Sequence, residues 1–135
     1  MGIFRTFSLP VHTDERFSLI PLEVKHQLGF EVRRVYAIVD GKQPSGSHCH
    51  KVEEEVFFVA RGGAVAVIDD GSGLRDITLT QGDAMYVGAY VWHHFKNFDP
   101  GTVVIALSST PYNPSRADYV IDYEEFKSQV SKHNE

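Results

Sequence analysis

The chain contains 135 residues, 42% of them hydrophobic and 23% charged, a size and composition that support one hydrophobic core and exclude two. Its 18 acidic residues outnumber the 13 basic ones and give a net charge of -5, which excludes the basic surface that nucleic-acid-binding proteins use. No segment reaches the roughly 18 consecutive apolar residues of a membrane helix. We therefore expect one soluble domain over residues 1–135, without nucleic-acid or membrane partners, and the single Cys49 favours the cytoplasm.

Short apolar or alternating segments recur between glycine-rich turns and predict an all-β protein. Near the end of the chain, Asp122 can cap a helix whose apolar residues then follow at helical spacing, so one short C-terminal helix is expected over about 122–132. The predicted strands, in chain order, are approximately 17–23, 33–39, 47–50, 55–60, 64–69, 75–80, 84–87, 92–98 and 102–108.

The third predicted strand carries two histidines separated by one residue. Because side chains alternate along a strand, His48 and His50 point to one face and Cys49 points to the other. Four residues separate His50 from Glu55, so a turn and the next strand can bring Glu55 toward the same face. Glu53 is two residues before Glu55 and would lie on the same face of a strand. Because turn geometry cannot be read from sequence, Glu53 could take the place of Glu55 as the carboxylate of the site.

A second group of residues lies in a later hairpin. Gly82, His93 and Asn97 are spaced as G-x10-H-x3-N. His93 thereby becomes a fourth candidate beside the earlier histidine pair and Glu55. Three imidazoles and one carboxylate form a ligand set that first-row divalent metals accept, so the sequence also predicts a possible metal site at His48, His50, Glu55 and His93.

These two segments, at about 46–62 and 82–97, resemble the two characteristic motifs of the cupin superfamily. The first motif ends at Gly62, and the second departs from the superfamily pattern at Gly88, where proline is usual, and at Tyr90, where glycine is usual. The resemblance implies a jelly-roll β-barrel of cupin type with the short helix after it.

Further segments narrow the resemblance. Residues 30–38, 48–51, 86–93 and 117–126 are similar to the WxcM-like, dTDP-sugar 3,4-ketoisomerase family, in the family's order. The family resemblance implies an isomerase without a required cofactor. Such an enzyme shifts the keto group of a dTDP-4-keto-6-deoxyhexose between C4 and C3 through an enediolate, for deoxyaminosugars of surface polysaccharides. It also implies a homodimer.

The same resemblance implies roles for individual residues. His48 and His50 would transfer protons and Tyr36 would hydrogen-bond a sugar oxygen. The implied substrate-binding residues are Arg34, which could instead be salt-bridged, Trp92, which could instead pack in the interior, and His93.

Two departures from the family keep other functions open. Ser45 stands where the family commonly has arginine, and Glu55 stands where it tends to have glutamine, which restores a complete set of metal ligands. A metal-dependent cupin, acting as an oxygenase or a metal-assisted isomerase, and a non-catalytic sugar-binding cupin are therefore the alternative hypotheses.

Overall fold

A computed structural model describes residues 2–133 of the chain. Strands dominate this part, and the longer of its two helices has 11 residues. Within the described part, no helix is both long and apolar enough to cross a membrane. The elements are β1 Phe4–Ser8, β2 His12–Thr13, β3 Ser18–Leu19, α1 Val24–Gln27, β4 Arg34–Val39, β5 Cys49–His50, β6 Glu55–Arg61, β7 Gly63–Asp69, β8 Arg75–Thr80, β9 Asp83–Val87, β10 Trp92–Lys96, β11 Val103–Ser108, β12 Tyr119–Val120 and α2 Tyr123–His133.

Two main antiparallel sheets enclose the core. One has the strand order β1-β9-β6-β11-β4 and the other the order β10-β7-β8. Apolar side chains from both sheets, among them Phe57, Val104, Ile68 and Phe95, form the largest buried cluster. The predicted all-β class with a short C-terminal helix is confirmed. The sheets do not close into a continuous barrel, since no ladder among the described strands joins the two main sheets.

The predicted strand at 17–23 is wrong over most of its length. Only Ser18–Leu19 pair there, and Val24–Gln27 form a short helix afterwards. Pro21 explains the interruption, because proline has no amide hydrogen to donate to a ladder. The structure also adds β1, an edge strand paired with β9. It adds β12 as well, which pairs with β5 through Tyr119↔His50 and Val120↔Cys49.

The backbone conformation explains the residue at two motif positions, Gly62 and Tyr90. Gly62 has a φ of 81°, and a Cβ added there would lie 2.3 Å from Oγ1 of Thr102, so the turn between β6 and β7 requires glycine. Tyr90, which replaces the glycine of the second motif, has a φ of 58°. The backbone at this position is therefore left-handed, the conformation that glycine adopts without the Cβ penalty.

The C-terminal helix packs on the outside of β10. Asp122 accepts a hydrogen bond from the amide of Glu124 and caps the first turn. Phe126 and Tyr123 contact the Trp92 ring at centroid distances of 5.6 and 5.3 Å. Because side chains alternate on β10, burial of Trp92 under the helix turns His93 to the opposite face.

Candidate active site

Three histidines meet where β5 and β10 come together. His48 and His93 form an antiparallel bridge, in which the amide of each donates to the carbonyl of the other, at 3.3 and 2.9 Å. This direct pairing brings the two rings to a centroid distance of 4.7 Å. His50 lies on the same face as His48, and their Nε2 atoms are 3.1 Å apart. Alternation of side chains along the strand and the bridge to His93 therefore bring all three predicted histidines together.

Glu55 enters the site from β6, in the middle of the five-stranded sheet. It is 2% exposed, and its cross-strand partner Ser108 is in turn paired with Arg34 on the edge strand β4. Tyr36, two residues along β4, donates a hydrogen bond of 2.5 Å to Glu55. Burial raises the pKa of Glu55, and burial together with the Glu55 charge raises the pKa of Tyr36, so the phenol stays protonated at neutral pH.

His50 lies among three carboxylates. Its Nε2 is 2.8 Å from Glu53 and 3.3 Å from Glu55, and its Nδ1 is 3.3 Å from Asp118. Burial alone would lower the pKa of His50, but the contacts with Glu53 and Glu55 outweigh it and raise the pKa to about 9. His50 is therefore an imidazolium at neutral pH.

His48 and His93 are neutral under the same conditions. Burial, together with the positive charge of His50, lowers the pKa of His48 to about 4. Burial lowers the pKa of His93 to about 3. The backbone carbonyl of Val91 lies 2.9 Å from Nδ1 of His93 and accepts its hydrogen, which leaves the Nε2 lone pair facing the cluster. The site thus contains one charged and two neutral imidazoles within contact of one another.

Glu53, which the sequence offered only as an alternative to Glu55, belongs to the site together with Glu55. It is 2% exposed and accepts hydrogen bonds of 2.6 Å from both Arg34 and Thr110 and a further one from Ser108. Burial would raise its pKa, but contacts with His50 and these hydroxyls lower it to about 2. Arg34 is accordingly salt-bridged in the structure, which is the alternative that its position on a strand left open.

Asp118 was missed by the sequence analysis. Its carboxylate accepts hydrogen bonds from the consecutive amides of Lys51, Val52 and Glu53 at 3.1, 2.8 and 3.1 Å. Asp118 therefore fixes the turn that carries Glu53 while it faces His50. Its only sequence signal was its place in the 117–126 segment, because no spacing rule links residues 67 positions apart.

The structure does not bring Trp92 to this cluster. Its side chain is 5% exposed and packs with Cys49, Val120 and Phe126 in a separate buried cluster. Trp92 therefore lies in the packing arrangement that the sequence also allowed. Cys49 is fully buried on the side away from the histidines, as predicted, and burial raises the pKa of its thiol to about 12.

A cavity of about 220 Å³ opens beside the cluster. Tyr119, from β12, stacks on His48 at a centroid distance of 4.7 Å and meets His50 edge-on at 4.4 Å. The lining residues are Tyr36, Ile38, Ser45, Gly46, His48, Phe57, His93, His94, Phe95, Arg116 and Tyr119. A small polar ligand in this cavity would contact the neutral histidines and the Tyr36 phenol.

The same cluster satisfies the donor requirements of a divalent metal. One donor atom each from His48, His50, Glu55 and His93 lies within 4.8 Å of the others. The Val91 carbonyl on His93 and the Tyr36 hydroxyl on Glu55 are outer contacts of the kind that orient metal ligands. The residues therefore fit such an ion once His50 has lost a proton, because only a neutral imidazole binds metal.

Replacement of Glu53 tests the charge balance of the site. We expect Glu53→Gln to lower the pKa of His50 from about 9, because it removes a carboxylate 2.8 Å from Nε2. Ring resonances followed by NMR across pH will give this value. His50 binds its proton more tightly in the folded than in the unfolded chain, so its protonation stabilises the fold at low pH. In the wild type, the free energy of unfolding should therefore fall as pH rises through about 9. In the variant, the same fall should occur at lower pH.

Glu54→Gln is the matched control, since Glu54 hydrogen-bonds Tyr86 on the other side of the strand. An unchanged His50 titration in Glu53→Gln would contradict this account of the site.

Comparison with known proteins identifies relatives along almost the whole chain. The family described as FdtA: WxcM-like, C-terminal, matches residues 4–131. TDP-4-oxo-6-deoxy-alpha-D-glucose-3,4-oxoisomerase of Aneurinibacillus thermoaerophilus is 36% identical over 124 residues, which cover 90% of this chain and 88% of that protein.

Solved structures share the fold. The WlaRB TDP-quinovose 3,4-ketoisomerase of Campylobacter jejuni is 33% identical with a TM-score of 0.81, over 93% of this chain and 97% of that one. A double mutant of the 3,4-ketoisomerase QdtA of Thermoanaerobacterium thermosaccharolyticum, in complex with TDP, is 26% identical with a TM-score of 0.86, over 96% and 95%. The cupin-like fold is confirmed, and the chain belongs to the WxcM-like, C-terminal family that includes FdtA.

Proposed function

We propose that the chain is a 3,4-ketoisomerase that moves the keto group of a TDP-4-keto-6-deoxyhexose from C4 to C3. The observation that carries the proposal is the pairing of a neutral His48 with a charged His50, 3.1 Å apart beside a cavity, in a chain of this family. A neutral base held beside a fixed positive charge can move a proton between neighbouring carbons and stabilise the anion formed between the two transfers.

The first step is removal of the proton at C3, which is acidified by the adjacent C4 carbonyl. His48 is the base, because its pKa of about 4 leaves it unprotonated at neutral pH and it lines the cavity. The electron pair of the C3–H bond moves into a C3–C4 double bond, and the C4 carbonyl oxygen becomes an enolate oxygen. The imidazolium of His50, next to His48, supplies the nearest positive charge for this anion. Tyr36 lines the cavity and can donate its hydroxyl hydrogen to the anion when it leaves Glu55.

The second step returns a proton to C4. The C3 hydroxyl proton passes to the enolate oxygen on C4, which becomes a hydroxyl. The C3 carbonyl forms, and C4 receives the proton that His48 removed in the first step. The atoms of the sugar are conserved and no electron acceptor is needed. His50 keeps its positive charge beside His48 throughout, since Glu53 and Glu55 hold its proton. His93, whose Nε2 lone pair faces the cluster, can accept a hydrogen bond from a sugar hydroxyl.

NMR of the sugar ring during incubation with TDP-4-keto-6-deoxyglucose tests the function directly. We expect the C3 signal to become that of a ketone, and His48→Asn to lower the rate by about 10²- to 10⁴-fold because the base is lost. His26→Asn, on the exposed face of α1, is the control. Binding of the sugar nucleotide without turnover would instead support a sugar-binding cupin.

A metal-dependent cupin is the second candidate, favoured by the four donors within 4.8 Å of one another. A bound divalent ion would polarise a carbonyl oxygen. Because proton transfer by His48 beside the charged His50 needs only groups of the chain, we expect protein treated with a chelator to keep its isomerase activity. Activity that is lost with one ion per chain, and is restored by that ion but not in His93→Ala, would select the metal-dependent enzyme.

We further propose that the enzyme is a homodimer. Strand β4 is an edge of the five-stranded sheet, and its outward side chains Val35 and Val39 are 61% and 54% exposed. A twofold axis beside such an edge would cover the same apolar surface on both copies.

Sedimentation velocity at micromolar concentration tests the dimer. The wild type should sediment as a dimer and Val35→Lys as a monomer, because two lysines would be buried at the twofold axis. Leu74→Lys, at an exposed turn on the other sheet, should remain dimeric. A monomeric wild type would contradict the proposal.

The same chemistry supports a proposal for the cellular role. A ketone at C3 is the group that an aminotransferase converts to an amine, which supports a role in forming deoxyaminosugars for surface polysaccharides. The one cysteine is a free, buried thiol, which supports a cytoplasmic location.

A further inference from the structure

The position of the substrate's diphosphate is fixed by that of the reacting carbons. The diphosphate is attached to C1, two carbons from C3. If His48 takes the proton from C3, as in the proposed function, the diphosphate lies within one sugar ring of His48. Guanidinium groups are the side chains best suited to bind it, because they donate paired hydrogen bonds to phosphate oxygens.

Arg34, the arginine implied by the family resemblance, has its charge balanced already. Its Nη2 donates to Glu53 at 2.6 Å and lies 3.4 Å from the hydroxyl of Ser108. Its guanidinium also lies over the ring of Tyr36, 5.3 Å from the centroid. Removal of Arg34 from Glu53 to bind phosphate would leave a buried carboxylate with one cation fewer, which is costly.

Arg116 forms no such ion pair within the described part of the chain. It lines both the cavity beside His48 and a small cleft next to it that contains Arg34 and Glu53. The guanidinium lies 4.5 Å from the centroid of Tyr119, and its residue is exposed. Among residues 2–133, no carboxylate forms an ion pair with Arg116. It is therefore a cation at the entrance whose charge is available to a ligand.

The backbone holds Arg116 at this entrance. Its φ is 53°, a left-handed conformation that residues with a Cβ rarely adopt. Its amide donates to the carbonyl of Asn113 at 3.2 Å, and its own carbonyl accepts from the amide of Tyr119 at 3.0 Å. Conformations of this kind concentrate at ligand sites, and here the turn leads directly into β12.

Tyr119 connects Arg116 to the reacting centre. Its ring contacts the guanidinium of Arg116 and also stacks on His48 at 4.7 Å. A phosphate bound by Arg116 would consequently lie one aromatic ring away from the proposed base. This spacing matches a substrate in which the diphosphate and the reacting carbon are separated by part of one sugar ring.

We propose that Arg116 binds the diphosphate of the nucleotide-sugar substrate and that Tyr119 supports the guanidinium in the binding position. Arg116 thereby takes the phosphate-binding role for which Arg34 is unavailable. This inference rests on the proposed function for the placement of the sugar, but it concerns a binding contact that can be measured without turnover.

Calorimetric titration with TDP and with thymidine, each as a separate ligand, tests the proposal. We expect Arg116→Gln to weaken TDP binding about tenfold or more, as for loss of a charge-assisted contact, and to change thymidine binding less than about twofold. Arg116→Lys should give an intermediate loss, because it keeps the charge but not the paired donors. Arg61→Gln, at the exposed end of β6, is the matched control.

The outcomes separate the inference from the function. TDP binding by Arg116→Gln that equals that of the wild type, or a loss that is the same for TDP and thymidine, would overturn the role of Arg116. If circular dichroism shows that Arg116→Gln does not fold, Arg116→Lys replaces it in the test. TDP binding by Arg116→Lys that equals that of the wild type at both high and low salt would then overturn the role of Arg116. A wild type that shows the Arg116-dependent TDP binding but no isomerisation would overturn the function alone, and one that binds no TDP would overturn both.

Discussion

Burial of two carboxylates side by side is the constraint on which the rest of the site depends. Glu53 and Glu55 are each 2% exposed, and such a pair is tolerated in the interior only when positive charge compensates it. His50 and Arg34 provide that charge. The protonation of His50 is therefore a consequence of the fold. Its charge in turn helps to keep His48 neutral, so that one electrostatic balance defines both a fixed positive charge and a neutral base.

The sequence contained enough information to predict the histidine cluster. Alternation along strands placed His48 and His50 on one face, and motif spacing added His93 and Glu55. These predictions depend on periodicity and on turns, which are local properties. The family resemblance succeeded for a related reason, because its motifs are the strand ends and glycine turns that build the site, and these depend little on the rest of the chain.

The parts that sequence could not predict are the long-range pairings. Arg34 could be charged and free or charged and paired, and only the register of β4 against β11 places it beside Glu53. Trp92 was ambiguous until α2 was found to cover it. Asp118 lies far along the chain from the amides that it binds. In each case the partner is selected by how sheets and helix pack, and no short-range pattern carries that information.

The last strand of the chain completes the site. Strand β12 pairs with β5 near the end of the chain and brings Asp118 and Tyr119 against histidines encoded about 70 residues earlier. During synthesis, His48 and His50 therefore stay open to solvent until this late segment has left the ribosome and docked. Glu53 and Glu55, which hold the charge of His50, are in place earlier in synthesis, whereas the Tyr119 ring that covers His48 and the Asp118 carboxylate that faces His50 arrive only with the last part of the chain.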